Sequence, residues 1–198
     1  MKTLLIDSIG CLSVTPEQIN ESMQQNNGKV ILSGVMQRAD ATNQNGRQYP
    51  EDILRREADK YKQVFVTERR ALGELDHPDS SVVNLQNVSH NVVDLWWNGT
   101  DLMGKIEILS TPSGNIAKEL LKSGIRLGIS SRGMGSVRNI GEGKVEVQDD
   151  FEIVCWDLVS NPSTHGAFMS PLNESVSRST SNKYGKVHSL INDIISVM

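Results

Sequence analysis

Apolar residues run along this chain in short β-branched stretches separated by turn formers, and helical spacing recurs only locally. The run "KVILSGVMQRA", residues 29–39, predicts a strand, and "DATNQNGRQYP", residues 40–50, predicts a loop. Pro50 then opens a helix over "PEDILRREADKYKQ", where Ile53, Leu54 and Ala58 share one face behind an acidic first turn. "VFVTERRALGELDHPDSS" predicts a strand, a turn and a short element bearing His77. "HNVVDLWWNGTDLMGKIEIL" predicts a hairpin about Asn98-Gly99. A second helix over "TPSGNIAKELLKSG" is capped by Ser113 or Thr111 and stopped by Gly124, with Ile116, Leu120 and Leu121 on its apolar face. "IRLGISSRGMGSV" and "GKVEVQDDFEIVCWDLVS" return to strand character.

Both ends lack such patterning. Residues 11–29 are polar, rich in Gln and Asn, and read as a mobile leader; "SPLNESVSRSTSNKYGK" reads as disordered or a linker. A last short amphipathic helix is predicted from Leu190, Ile191, Ile194 and Ile195, suited to docking on a partner or folding back on the body. Strands outnumber helices without a β-α-β repeat, so the expected fold class is α+β with a mostly antiparallel, barrel-like sheet.

Composition narrows the function classes only a little. With 198 residues, 37% hydrophobic and 22% charged, the chain can bury a core of one domain. A net charge of -4 argues against non-specific nucleic-acid binding, and no apolar run reaches a membrane span. In "MKTLLIDSIGCLSV" a lone Lys precedes an apolar patch that Asp7 interrupts, a poor match to a secretion signal. Cys11 and Cys155 have no metal-ligand spacing; Cys155 reads as a buried small hydrophobe, and a reducing, intracellular setting fits best.

Two polar stretches are hard to explain as scaffold: "GELDHP", residues 73–78, and "RLGISSRGMGS", residues 126–136. A serine nucleophile needs an adjacent base, usually His, held in one tautomer by a third group. The four histidines are His77, His90, His165 and His188. Taken alone, "SSRGMG" is equally a strand ending in a glycine turn; it fits neither a phosphate loop nor the G-x-S-x-G elbow. Asp157, inside the apolar run "VCWDLVS", needs a partner if it is buried. That partner is either an arginine, with Arg126, Arg132 and Arg138 as candidates, or an imidazole that the carboxylate orients.

In this order, "NQNGRQYP", "ALGELDHP", "DLWWNGTDLMGKIEIL", "TPSGNIAKELL", "GISSRGMGSV" and "WDLVSNPS" resemble the prohead core proteases of T-even-type tailed phages. The resemblance spans about residues 29–170. It implies a herpesvirus-protease-like fold, a small, mostly antiparallel β-barrel with surrounding helices. It implies a self-processing serine endopeptidase zymogen without cofactor or metal. His77 would be the base and one of Ser130 and Ser131 the nucleophile. Asp157 would be the third member, with Asp149, Asp150 and His165 nearby in sequence, and Arg132 and the amides of Gly133 to Gly135 would serve as oxyanion donors. Strand neighbours point to opposite faces, so only one serine can meet His77. The Ser-x-Gly arrangement of related viral enzymes favours Ser131, leaving Ser130 as the alternate.

Such proteases cut scaffold and major capsid proteins, and themselves, after Glu in an apolar-x-Glu/small pattern. Matching sequences are "INES" (Glu21, Ser22), "LNES" (Glu174, Ser175) and "IGEG" at residues 140–143. The expected organisation is therefore a mobile propeptide over 1–28, a serine protease domain over 29–170, and a flexible tail with a short helix over 171–198. The expected setting is the host cytoplasm inside the prohead, with the protein absent or degraded in the mature virion. Self-association is possible, and no nucleic acid or membrane partner is expected. A non-catalytic scaffold or core component is the competing reading. Reading a substrate Glu requires a basic residue, and Arg38, Arg47, Arg69 and Arg70 are unplaced by sequence.

Overall fold

The computed structural model describes residues 2–11, 15–160 and 169–171. The predicted tail helix, the "LNES" sequence, His165 and His188 lie outside them. The strands are β1 (Thr3–Cys11), β2 (Val30–Arg38), β3 (Arg47–Gln48), β4 (Leu72–Glu74), β5 (Val88–Asn98), β6 (Asp101–Ile108), β7 (Gly128–Gly135), β8 (Val137–Gly141), β9 (Lys144–Val147), β10 (Glu152–Val159) and β11 (Met169–Pro171). The helices are α1 (Pro16–Gln25), α2 (Glu51–Tyr61) and α3 (Pro112–Lys122).

Among the described residues the strands form three sheets, in orders β1-β7-β10, β11-β2-β6-β5-β4 and β3-β9-β8. All pairings but the short β3–β9 ladder are antiparallel. The first two sheets meet at a parallel bridge between Leu75 and Leu158. This corrects the barrel expectation: the described strands form no closed barrel. Both edges of β2 are occupied, by β6 and β11, so β2 cannot also pair with β1. The free edge of β1 is instead capped, because Asn45 Nδ2 and Arg47 Nη1 donate to the Ile6 carbonyl at 3.0 and 2.7 Å.

Several elements follow from local chemistry. The β5–β6 hairpin turns at Asn98-Gly99 as expected, with Gly99 at φ +60°. Thr111, one of the two candidate caps, accepts from the Gly114 amide at 3.0 Å to start α3, and Gly124 at φ +76° follows its end. Two elements differ from the sequence reading. "VFV" belongs to a π-helical turn, Lys62–Val66, that continues α2. Tyr61 and Phe65 stack there at 4.9 Å and Val66 is buried, so packing overrides the strand preference of the two valines.

The second difference is at the N-terminus, where part of the polar leader is α1. Thr15 accepts from the Gln18 amide at 3.3 Å while Gln18 Oε1 accepts from the Thr15 amide at 2.9 Å, and Pro16 sits in the first turn. Among its described apolar side chains Ile19 and Met23 face the core, too few to make a visible period. Likewise β1 pairs with β7 over its length, and Leu5 enters the core. Asp7, which broke the apolar patch in sequence, is buried and bound by Tyr49, Arg47 and Asn45.

Candidate active site

The candidate residues come from three neighbouring strands. β7 carries Ser130 and Ser131, β10 carries Asp157, and the segment leaving β4 carries His77. Cross-strand register places Ser130 opposite Asp157, and Ser131 opposite Trp156 and Asp7. Directly opposed residues share a sheet face, so the two serines part company as strand alternation requires. On one face Trp156 meets the edge of Tyr61 from α2, with ring centroids 4.9 Å apart. The other face gathers Ser130, Arg132 and Asp157, all fully buried.

The two hydroxyls differ in their bonding. Ser131 Oγ donates to the Asp7 carbonyl in β1 at 3.2 Å. Ser130 Oγ is buried with no hydrogen-bond partner among the described residues. A buried unpartnered hydroxyl costs stability, and such groups concentrate where function requires them.

Asp157 resolves the choice of partner in favour of Arg132. Its Oδ1 accepts from Arg132 Nη2 at 3.1 Å and from the Glu74 amide at 2.9 Å, and its Oδ2 lies 2.9 Å from Arg132 Nε. Cys155 Sγ is 3.4 Å from Oδ1. Burial pushes the Asp157 carboxyl up from its usual range, against the Glu74 amide and the guanidinium, which pull it down. Arg138 instead pairs with Glu146 at 2.7 Å, and Arg126 is exposed. Cys155 is a buried free thiol, pushed up by burial and so kept protonated, as its apolar surroundings suggested.

His77 is half-buried in the loop after β4. Asp76 precedes it at φ +65°, its amide donating to the Leu158 carbonyl at 2.7 Å, while Asp76 Oδ1 accepts from the His77 amide at 3.0 Å. These bonds fix the backbone at the mouth of β10, but the structure gives no hydrogen bond from the His77 ring to Asp157 or to either serine. Arg132 is not free to serve an oxyanion, because its guanidinium is taken up by two carboxylates and the Ser80 carbonyl. Gly133 makes room for Phe151: an added Cβ would come within 2.4 Å of that ring. β7 is the central strand of its sheet, so the amides of Gly133 to Gly135 lie between β1 and β10.

The other nearby acids have different tasks. Asp149 is exposed and pairs with Arg56, while Asp150 accepts from the Ser136 amide and hydroxyl, both at 2.9 Å. The basic candidates all have partners as well. Arg38 pairs with Asp101, Arg47 with Asp7 and Arg69 with Glu107, and Arg70 lies over the Phe65 ring. Among the described residues no three His, Cys, Asp or Glu side chains form a metal-binding group, and no helix is long and apolar enough to cross a membrane.

Sequence reasoning missed Glu74 and His90. Glu74 Oε1 accepts from Arg132 Nη2 at 2.8 Å and from the Asn84 amide at 3.0 Å; its only sequence signal is its place in "GELDHP". His90 lies fully buried against Gly73, with Nδ1 2.9 Å from Ser89 Oγ. Burial pushes its pKa down to about 4, while contact with the Trp156 carbonyl works the other way. The unfolded chain therefore takes up this proton near pH 6.5 and the folded chain only near 4. The full stability persists above the unfolded value and falls as the pH drops through that window, by about 3 kcal/mol. Urea unfolding at pH 7 and pH 4 is expected to show this loss in the wild type and a smaller one in His90→Gln. Equal losses would remove His90 as the cause.

Comparison with known proteins bears on the family of the chain. The family model for prohead core protein serine proteases matches residues 6–179. The prohead core protein protease of Enterobacteria phage T4 is 32% identical over 146 residues, spanning 72% of this chain and 68% of that protein. The solved structure of the bacteriophage T4 capsid assembly protease, gp21, is similar at a TM-score of 0.69 and 25% identity, covering 81% of this chain and 99% of that one. With a match that runs from β1 past β11 and takes in the His77, serine-pair and Asp157 segments, the chain belongs to the prohead core protein serine protease family.

Proposed function

We propose that this chain is a prohead serine endopeptidase that cleaves scaffold and major capsid proteins, and itself, after Glu in an apolar-x-Glu/small pattern. The observation that carries this reading is the buried, unpartnered Ser130 hydroxyl on the same face as Asp157, one strand away from the segment bearing His77. In the reaction Ser130 Oγ attacks the carbonyl carbon of the substrate Glu residue while the His77 imidazole takes the hydroxyl proton. The imidazolium returns that proton to the leaving amine, and water attacking through the same base releases the acyl group. Asp157 acts in this scheme through its ion pair with Arg132, whose Nε lies 2.9 Å from Oδ2. Ser131 keeps its bond to β1. This prefers the alternate of the two serines, because the Ser-x-Gly arrangement takes no account of where each hydroxyl bonds.

The proposed processing sites differ in setting: Glu21 lies in a described helix, whereas Glu174 lies in a segment known from its sequence alone. A protease acts on extended, reachable backbone. The Glu21–Ser22 bond lies within α1, where Ile19 and Ser22 are fully buried and Ser22 Oγ accepts from the Ile31 amide at 3.1 Å. Cutting it requires α1 to open. Glu174 and Ser175 lie outside the described residues, shortly beyond the last residue of β11, Pro171. "IGEG" forms the exposed β8–β9 turn, where Gly141, Glu142 and Gly143 all have positive φ. The Ser- and Asn-rich composition around Glu174 reads as a linker, so cleavage there is expected to precede cleavage after Glu21.

Mass spectrometry of purified protein over time tests this reading. The wild type is expected to pass through a product ending at Glu174 before one that begins at Ser22, while His77→Ala keeps all 198 residues. Identical processing in both would remove His77 from the mechanism. A wild type that stays full-length and still assembles would favour the non-catalytic scaffold component. The expected site of action is inside the prohead.

A further inference from the structure

A single guanidinium stands where the three segments of the site meet. Arg132 is fully buried, two residues beyond Ser130 and on the same strand face. Its Nη2 donates to Glu74 Oε1 at 2.8 Å, and its Nη1 donates to the Ser80 carbonyl at 2.9 Å. Those two acceptors sit three residues before and three residues after His77. Its Nη2 and Nε engage Asp157 at 3.1 and 2.9 Å. Both ends of the His77 segment are thus pinned to the strand that carries the serines, and the Asp157 carboxylate is pinned by the same group. The Glu74 amide, which donates to Asp157 Oδ1 at 2.9 Å, closes the circuit.

We infer that Arg132 is the positioning residue of this site: it fixes the His77 loop against the nucleophile strand, with Glu74 as its anchor on that loop. The inference rests on the protease reading and adds to it a residue pair with a stated task. The planar fork of arginine reaches three acceptors in fixed directions, which an ammonium cannot reproduce. Burying one cation beside two carboxylates is a poor way to gain stability, since apolar residues of similar volume often do as well or better. Geometry is what the cluster supplies, and misplacing a reacting group by about 1 Å costs on the order of 100-fold in rate. The arrangement also explains why Arg132 offers nothing to an oxyanion, because its three nitrogens already point to acceptors within the protein.

The test uses the full chain, a peptide substrate containing apolar-x-Glu/small, a fluorophosphonate that labels the serine, and amide hydrogen exchange over residues 76–80. Arg132→Lys keeps the charge and loses the fork. Per folded molecule, kcat and the labelling rate are expected to fall about 100-fold with KM little changed, and exchange over the loop to rise. Glu74→Gln keeps an acceptor for Arg132 and for the Asn84 amide, and is expected to stay within about threefold of wild type, whereas Glu74→Ala loses more than tenfold. If Arg132→Lys does not fold, the contrast between Glu74→Gln and Glu74→Ala reads the same claim. Wild-type kcat, labelling and loop exchange per folded molecule in Arg132→Lys, or in Glu74→Ala, would overturn it. A wild type that neither cleaves nor labels would defeat the protease reading instead. Loop exchange would still decide whether Arg132 anchors the His77 segment.

Discussion

Ser130→Ala is expected to abolish peptide cleavage, lowering kcat by on the order of 10⁵- to 10⁶-fold, as loss of a serine nucleophile does when its base can no longer act. Ser131→Ala is expected to keep kcat within a few-fold and to lose about 1–2 kcal/mol of stability. The contrast follows from where the two hydroxyls sit. Ser131 Oγ is committed to the Asp7 carbonyl, and removing it breaks one buried hydrogen bond between β7 and β1. Ser130 Oγ is buried without a partner opposite Asp157, so its removal breaks no native hydrogen bond. Ser130→Ala should therefore fold at least as well as wild type while losing its chemistry. Steady-state cleavage of a Glu-containing peptide, fluorophosphonate labelling with peptide mapping, and urea unfolding of both variants give the answer. A label on residue 131, or an active Ser130→Ala, would return the assignment to Ser131.

Gly73→Ala is expected to be among the most damaging small substitutions in the fold. A Cβ at Gly73 would lie 2.0 Å from the Trp156 carbonyl oxygen and 2.4 Å from Cε1 and Nε2 of His90. Relief requires backbone movement of β4 away from β10, since the carbonyl belongs to a strand that is paired on its other side with β7. That movement would part the two sheets at their junction, where Leu75 bridges Leu158. A loss of roughly 4 kcal/mol or more is expected, in the range reserved for overpacking with backbone displacement. Gly99→Ala makes the control: its Cβ meets nothing within 4 Å and only its φ of +60° is unfavourable, a cost of about 1 kcal/mol. Guanidinium unfolding midpoints of the two variants separate close approach from turn geometry. A wild-type midpoint for Gly73→Ala would mean that β4 and β10 are not held as close as described.

The glycine of "GELDHP" shows how much of the site was readable from the chain. The motif's polarity marked it as a candidate, as it did "SSRG", and "WDLVS" was marked by a carboxylate inside an apolar run. The reason for the glycine itself, the Trp156 carbonyl and His90 pressing on its missing side chain, involves residues 17 and 83 positions away. The role of Glu74 was hidden likewise, since its partners are Arg132 and the backbone of the loop that follows it. The π-helical continuation of α2 was missed because packing there overrides the strand preference of its valines, and the pairing of β1 with β7 because Asp7 interrupts the apolar pattern of β1. Partners from far along the chain decide both.

The sequence by itself determined the strand-rich α+β class, the Asn98-Gly99 hairpin, the helices opened by Pro50 and Thr111, and the three segments that supply the candidate chemistry. These are local matters of period, cap and turn, and they need no knowledge of neighbours. Only the tertiary structure decided that the sheets stop short of a barrel, that α1 and β1 pack as part of the body, and that Asp157 faces Arg132. It also separated the serines, giving Ser131 to a backbone carbonyl and leaving Ser130 on the face with the buried charges. Strand alternation guarantees that two adjacent serines point apart; which face holds the carboxylate depends on cross-strand register, and register is set by residues distant in sequence.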